Sequence, residues 1–363
     1  MSTHSELFTD PIQAIPPVVR EHLLSYCTQR NQHSLAMDEN VHLGTAVLED
    51  FVLSGGKRMR PIFGWTGFMG ARSPECTEDI EAVTTALSAL EFIQACALIH
   101  DDIIDSSDTR RGYPTVHRRV EAYHREQGFS GDAAHFGESL AILLGDMALV
   151  YADDMVMDSG LSDAALRRIR EPWRAMRHEV IGGQILDITI ESKGVEGVEA
   201  PMRVNRYKTA AYTIERPLHL GAAIAGADEK TIAAYRSYGR DVGIAFQLRD
   251  DVLGVFGDPA VTGKPAGDDL REGKRTVLVA RTLAILDARA PQRAARLREG
   301  LGHVESASDI QELAEIIADS GAVDEVESHI TELKNQALAT ITAVPTVAGI
   351  LGDLAERATA RRM

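Results

Sequence analysis

Residues 100–112 read HDDIIDSSDTRRG, with three acids in five positions, Asp101, Asp102 and Asp105, followed by Arg110 and Arg111. On a helix, residues four apart share a face, so Asp101 and Asp105 project together while Asp102 points about a quarter-turn away. Gln94 lies two turns earlier on the same stripe. Paired carboxylates at the end of an apolar helix are unfavourable unless cations neutralise them. Hard oxygen ligands with this spacing suit Mg²⁺, which keeps several waters and bridges to phosphates. The second half carries a partial copy, FQLRDDVLGVFGD at 246–258, where Asp250 and Asp251 stand as Asp101 and Asp102 do. Gly254 takes the place of its third acid. Two such clusters could face each other across a cavity and together bind several ions.

Basic residues accompany both clusters. GGKRMRP at 55–61 offers Lys57 and Arg60 just past a glycine turn, with Arg58 between them. RYKTAAYT at 206–213 offers Lys208 and Thr209, and the Gly/Pro-rich stretch 257–274 offers Lys264 and Lys274. The chain carries a net charge of −16, so basic groups beside acidic metal candidates point to phosphate binding, each offsetting the other. Any one of these groups alone fits a solvated helix end or a surface lysine. Their coincidence does not.

Helices must position these groups. Hydrophobic residues make up 44% of the 363 residues and aromatics 5%, a mix that suits a helix-rich chain with an ample core. The negative balance repels nucleic acid and gives no broad pull toward anionic lipid. Cys27, Cys76 and Cys96 are odd in number and lack metal-type pairing, which fits reduced thiols in a cytoplasmic protein. No basic leader with an apolar run is evident, nor a long uninterrupted apolar stretch, so a soluble chain without integral membrane association is expected. Helical spacing prevails and strand alternation is nearly absent. Residues 1–17 read as a loose lead-in, and a helix over about 35–54 should stop at Gly55-Gly56. Ser73 and Pro74 should open a buried central helix running unbroken to Asp105. Further helices are expected near 132–158, 162–191, 202–226, 229–255, 272–288, 307–319, 323–341 and 345–361. The reading is an all-α chain forming one large bundle, with an extension over 1–34 and a catalytic portion over 35–363.

These motifs in combination resemble the trans-type polyprenyl diphosphate synthases, most of all bacterial geranylgeranyl diphosphate synthases. The resemblance spans about 35–350 and adds GQILD at 183–187 to the motifs above. It implies the isoprenoid synthase bundle around a central elongation cavity, in a protein that is generally homodimeric. It implies that Lys57, Arg60, Gln94 and Arg111 hold the diphosphate of isopentenyl diphosphate. Asp101 and Asp105 would bridge Mg²⁺ to the allylic diphosphate, with Asp250 helping to hold a third ion. Arg110, Lys208 and Lys264 would grip that diphosphate, and Lys274 matches the last lysine of the family's loop. Thr209 and Gln247 would stand beside the breaking bond. Gly254 departs from the family's second acidic motif and puts the affinity of the third ion in question.

The implied reaction is an electrophilic alkylation giving geranylgeranyl diphosphate, the alternative being a farnesyl or longer product. Small Ala97 and Cys96 before Asp101 leave the pocket open, with the next barrier near Leu90, Phe92 or Ile93. A phenylalanine at either small position is expected to shorten the product. A terpene cyclase is the nearest rival, but GGKRMRP serves a second diphosphate that a cyclase does not bind. A non-catalytic partner subunit would not need intact Asp101, Asp105, Lys208 and Lys274.

Overall fold

The computed structural model describes residues 4–110, 112–258 and 266–360. These are mostly helical, and the strand among them is a two-stranded antiparallel ribbon, Thr109–Arg110 paired with Tyr113–Pro114. Contacts divide the chain into two compact units, Met1–Arg174 with Arg216–Ile232, and Ala175–Glu215 with Ala233–Met363.

The first unit opens with α1 (His4–Thr9), α2 (Pro11–Met37) and α3 (Glu39–Leu53). The expected loose lead-in is therefore helical from His4 onward. Pro11 sits in the first turn of α2, where its missing N–H is no loss, and Asp10 accepts from the Gln13 amide. Leu7, Ile15, Val19 and Leu23 are buried, and the Trp65 indole donates to the Leu7 carbonyl at 2.7 Å. Helix α2 packs on α3. Asp38 joins the two: its amide closes α2 on the Ser34 carbonyl, and its carboxylate caps the Asn40 amide. That double cap breaks the single helix expected over 35–54. Its end is as expected, with Gly55 and Gly56 at φ 110° and 105°.

Next come α4 (Met59–Ala71), α5 (Ile80–Ser88), α6 (Leu90–Ile104), α7 (Val116–Glu126) and α8 (Ala133–Met157). Helix α2 also packs on α4 and α5. The central helix does not begin at Ser73: that hydroxyl turns to the Glu75 carboxylate at 3.0 Å instead of capping a backbone amide. Asp79 precedes the first helical residue, Ile80. Ala89 interrupts the ladder locally while keeping helical angles of −57° and −23°. Taken together, Ile80–Ile104 is long and apolar enough to cross a membrane, but its most apolar stretch is 78% buried, in keeping with the buried central helix expected here. Helices α6 and α7 both pack on α8. The first part of α9 (Asp163–Lys193) also belongs here, and so does α11 (Arg216–Ala225), which packs on α4.

The second unit holds the rest of α9, α10 (Glu199–Val204), a π-helical segment Asn205–Glu215 and most of α12 (Glu229–Phe256). It continues with α13 (Asp268–Glu272), α14 (Val277–Arg289), α15 (Pro291–Gly300), α16 (Ala307–Ser320), α17 (Ala322–Thr340) and α18 (Ala348–Thr359). Leu248, Val252, Val255, Leu270, Leu278 and Leu283 share one buried cluster. Each such side chain contributes roughly 1.5–3 kcal/mol by leaving water. Thr276 and Ser306 cap their helices by accepting from the Val279 and Asp309 amides. Arg249, inside FQLRDD, serves this framework: it forks onto the Glu327 carboxylate, Nη2 at 2.6 Å, and its Nε donates to the Thr359 carbonyl at 3.0 Å.

Candidate functional site

Helix α6 presents one face differently from the rest. Gln94, Ala97, Leu98, Asp101 and Asp105 are half-exposed, whereas Glu91, Phe92, Ile93, Ala95, Cys96 and Ile99 are buried. The spacing of that stripe is the helical repeat, so the paired acids and Gln94 do share a face. Asp105 is also the C-terminal cap, its amide closing on the Asp101 carbonyl. Asp102 points elsewhere and is fully buried. The ribbon turns the chain back over it: Arg110 Nε and Nη2 each lie 2.7 Å from Asp102 Oδ1, with Nη2 3.6 Å from Asp101 Oδ2. Arg110 thus neutralises a buried carboxylate beside the acid pair, a role that its assignment to a diphosphate did not include.

Cys96 lies off the stripe. Its thiol sits 3.8 Å from His100 Nδ1, burial pushes its pKa up to about 11, and His100 Nε2 lies 3.0 Å from the Ile142 carbonyl on α8. Phe92 is buried edge-on between Tyr26 and Tyr151. Of the small residues before Asp101, only Ala97 shares its stripe.

In the basic turn, Arg58 adopts φ 50°, a left-handed conformation rare outside glycine. Its side chain folds beneath the turn, with Nη1 2.5 Å from Glu91 Oε2 and Nη2 2.7 Å from the Val52 carbonyl. Arg58 is therefore the anchor of this turn, although the motif alone gave it no role. Lys57 is exposed and Arg60 buried on either side of it. Arg111 lies outside the described residues, as does Lys264.

In the second unit the expected single helix over 202–226 widens into the π turn that carries Lys208 and Thr209. Such widening occurs frequently at functional sites. Gly183 of the GQILD motif makes room for it: a Cβ there would lie 2.3 Å from the Lys208 backbone nitrogen. Four residues on, Asp187 accepts from Lys208 Nζ at 2.6 Å and orients it. Thr209 donates its hydroxyl to Gln247 Oε1 at 2.6 Å, and Gln247 Nε2 donates to Asp251 Oδ1 at 2.9 Å. Burial raises the Asp251 pKa to about 7; the Gln247 hydrogen bond opposes this, and the charges of Asp269 and Asp250 add to it. Gln247, Asp250 and Gly254 are the half-exposed positions one and two turns apart on α12. Lys274 pairs with Glu272 at 2.8 Å. Asp187, Glu91 and Asp269 are polar partners that sequence reasoning missed, because only the packing brings them to their lysine, arginine and glycine.

Among the described residues no three His, Cys, Asp or Glu side chains converge to hold a metal ion. A pair of half-exposed carboxylates instead fits Mg²⁺, which draws its remaining ligands from water and substrate phosphate.

Residues 42–319 match the family model described as polyprenyl synthetase. A geranylfarnesyl diphosphate synthase of Aeropyrum pernix is 33% identical over 299 residues, covering 82% of this chain and 86% of the relative. A (2E,6E)-farnesyl diphosphate synthase of Mycobacterium bovis is 32% identical over 76% of this chain and 72% of its own. Among solved structures, a Corynebacterium glutamicum geranylgeranyl pyrophosphate synthase complexed with isoprenyl diphosphate and magnesium matches with a TM-score of 0.95. It is 54% identical and covers 97% of this chain and 99% of that one. With its acid-bearing helices and its basic turn embedded in this helical fold, the chain belongs to the polyprenyl synthetase family.

Proposed function

We propose that this polyprenyl synthetase condenses isopentenyl diphosphate with an allylic diphosphate, and that geranylgeranyl diphosphate is its product. The observation that carries the reading is the half-exposed stripe of α6, where Asp101 and Asp105 are preceded by Leu98 and Ala97. That order fits a ligand with a metal-bound anionic head and an apolar tail lying along the helix. The likeness to a Corynebacterium glutamicum enzyme of that name supports the product.

In this reading Asp101, Asp105 and Asp250 hold Mg²⁺, three ions once substrate is bound, and the bound ions supply charge neutralisation for the departing diphosphate. Lys208, Arg110 and Lys264 draw on the same oxygens as the allylic C–O bond breaks. Asp187 keeps Lys208 directed. Thr209 and Gln247 turn dipoles toward the allylic cation. Lys57, Arg60, Gln94 and Arg111 hold isopentenyl diphosphate so that its alkene attacks the cation, forming the new C–C bond. The proton then lost passes to the released diphosphate, which Lys274 also helps to bind. The catalytic portion spans 35–363, with 1–34 as an N-terminal extension that is helical from His4 onward. The setting is cytoplasmic, in keeping with the free cysteines. The protein is a homodimer: Leu143, Val150 and Met157 recur every seven residues along α8 and are 61%, 55% and 57% exposed, an apolar stripe that a second copy would cover.

The test is incubation of the purified chain with Mg²⁺, labelled isopentenyl diphosphate and each short allylic primer. Incorporation with geranylgeraniol after dephosphorylation supports the reading, and absence of incorporation ends it. Asp101→Ala should lower turnover by orders of magnitude with an unchanged circular dichroism spectrum. Near-normal turnover would remove the metal assignment.

A further inference from the structure

Helix α6 ends in a turn with little to bury. Beyond Ile99, among its described residues, Asp102 alone is fully buried, while Ile103 is half-exposed and Ile104 is exposed. A turn so lightly packed opens at little cost. It is nevertheless the turn that carries Asp101 and Asp105. Arg110 secures one side of it through Asp102. The other side meets α8 through Cys96 and His100, which lie one above the other, four residues apart.

His100 has a seat on α8 that only glycine leaves open. A Cβ built on Gly145 would lie 2.2 Å from His100 Nε2, 2.5 Å from its Cδ2 and 2.8 Å from its Cε1, so a side chain there would displace the ring. In that seat His100 Nε2 donates to the Ile142 carbonyl at 3.0 Å, with Asp146 Oδ1 3.7 Å away. Nδ1 is then the acceptor, and it faces the Cys96 thiol at 3.8 Å. Burial pushes that thiol up to about 11, which keeps its proton on sulfur and available to the ring. Both ring nitrogens are engaged, one within α6 and one across to α8.

We propose that His100 is a positioning residue for the acid pair: through the Ile142 carbonyl it braces the last turn of α6 against α8 and so holds Asp101 and Asp105 in the orientation that Mg²⁺ requires. This rests on the metal-binding role given to that pair under the proposed function. His100 touches neither metal nor substrate and acts through the backbone it shares with Asp101. Metal-binding constellations must be held to within about 0.5 Å, so a loosened turn loses affinity well before it loses its fold.

The experiment measures Mn²⁺ binding by electron paramagnetic resonance on the full chain with inorganic diphosphate present, together with Tm. His100→Leu keeps much of the bulk of the ring without a donor, and should weaken Mn²⁺ binding about 10-fold, the low end for loss of a group that supports metal ligands from behind. His100→Gln carries an amide donor at about the reach of Nε2 and should recover most of that affinity. His100→Ala with Gly145→Ala refills the vacated space from α8, and should recover Tm while Mn²⁺ binding stays weak. Wild-type affinity in His100→Leu overturns the inference, and so does a loss that His100→Gln fails to relieve. Recovery of Mn²⁺ binding along with Tm in the double variant would also overturn it, since His100 would then serve packing alone. Absence of Mn²⁺ binding by the wild-type chain with diphosphate would instead overturn the underlying functional reading.

Discussion

Replacing Glu91 by Gln removes one charge from a pair that solvent barely reaches. The two side chains are 6% and 4% exposed and lie 2.5 Å apart. Breaking a buried pair from one side costs about 3–5 kcal/mol, because the surviving charge stays desolvated. Gln keeps one acceptor for Arg58, so the low end applies, about 3 kcal/mol. For units of this size that corresponds to a fall of about 6–12 °C in Tm by calorimetry. A functional effect should accompany it. The left-handed backbone of Arg58 is unfavourable by about 1–2 kcal/mol and is held by the two bonds its side chain makes. Weakening them lets the turn relax and displaces Lys57 and Arg60, so KM for isopentenyl diphosphate should rise several-fold with a smaller change in kcat. Removing both charges, in Arg58→Gly with Glu91→Leu, should recover most of the stability while KM stays high. If Glu91→Gln unfolds within about 1 kcal/mol of the wild type, the pair is not the anchor that the burial argument requires.

Ala97→Phe should shorten the product, since position 97 lies on the stripe of Asp101 and one helical turn rises about 5.4 Å. Cys96→Phe should instead lower Tm with product length unchanged, because position 96 packs beside His100; chromatography of the dephosphorylated products separates the two. Leu143→Glu with Val150→Glu should convert the proposed homodimer to a monomer by light scattering; an unchanged dimeric mass would place the interface elsewhere, and a monomeric wild type would remove the proposal. His22, His117 and His329 all have their pKa lowered from 6.5, chiefly by desolvation. As pH falls below about 6.5 the unfolded chain takes up these protons first, so stability present above that pH is lost below it. His22→Gln should flatten part of that decline in urea titrations, and an unchanged slope would refute the assignment.

Legibility followed the range of the interaction. Asp101 with Asp105, Gln94 on their stripe and the stop at Gly55-Gly56 depend on helical repeat and local backbone angles, so residue spacing reveals them. The start at Ile80 was missed because Ser73 has a nearby competitor in Glu75, and composition does not say which partner wins. The helical N-terminus was missed because α1 and α2 are stabilised by burial of Leu7, Ile15 and Leu23, not by an evident pattern. The π turn at Lys208 was missed because its cause, the close approach at Gly183, lies more than twenty residues away along the chain.

The sequence by itself determined the chemistry on offer: paired acids at helical spacing, basic groups to answer phosphate, and an apolar helix leading up to the acids. Only the tertiary structure decided which charges are set against each other. It joined Arg58 to Glu91, Arg110 to Asp102, Lys208 to Asp187, and set Asp269 over Gly254. The physical reason is that a charge leaves water only beside a partner, and which partner is near depends on how helices distant in sequence pack.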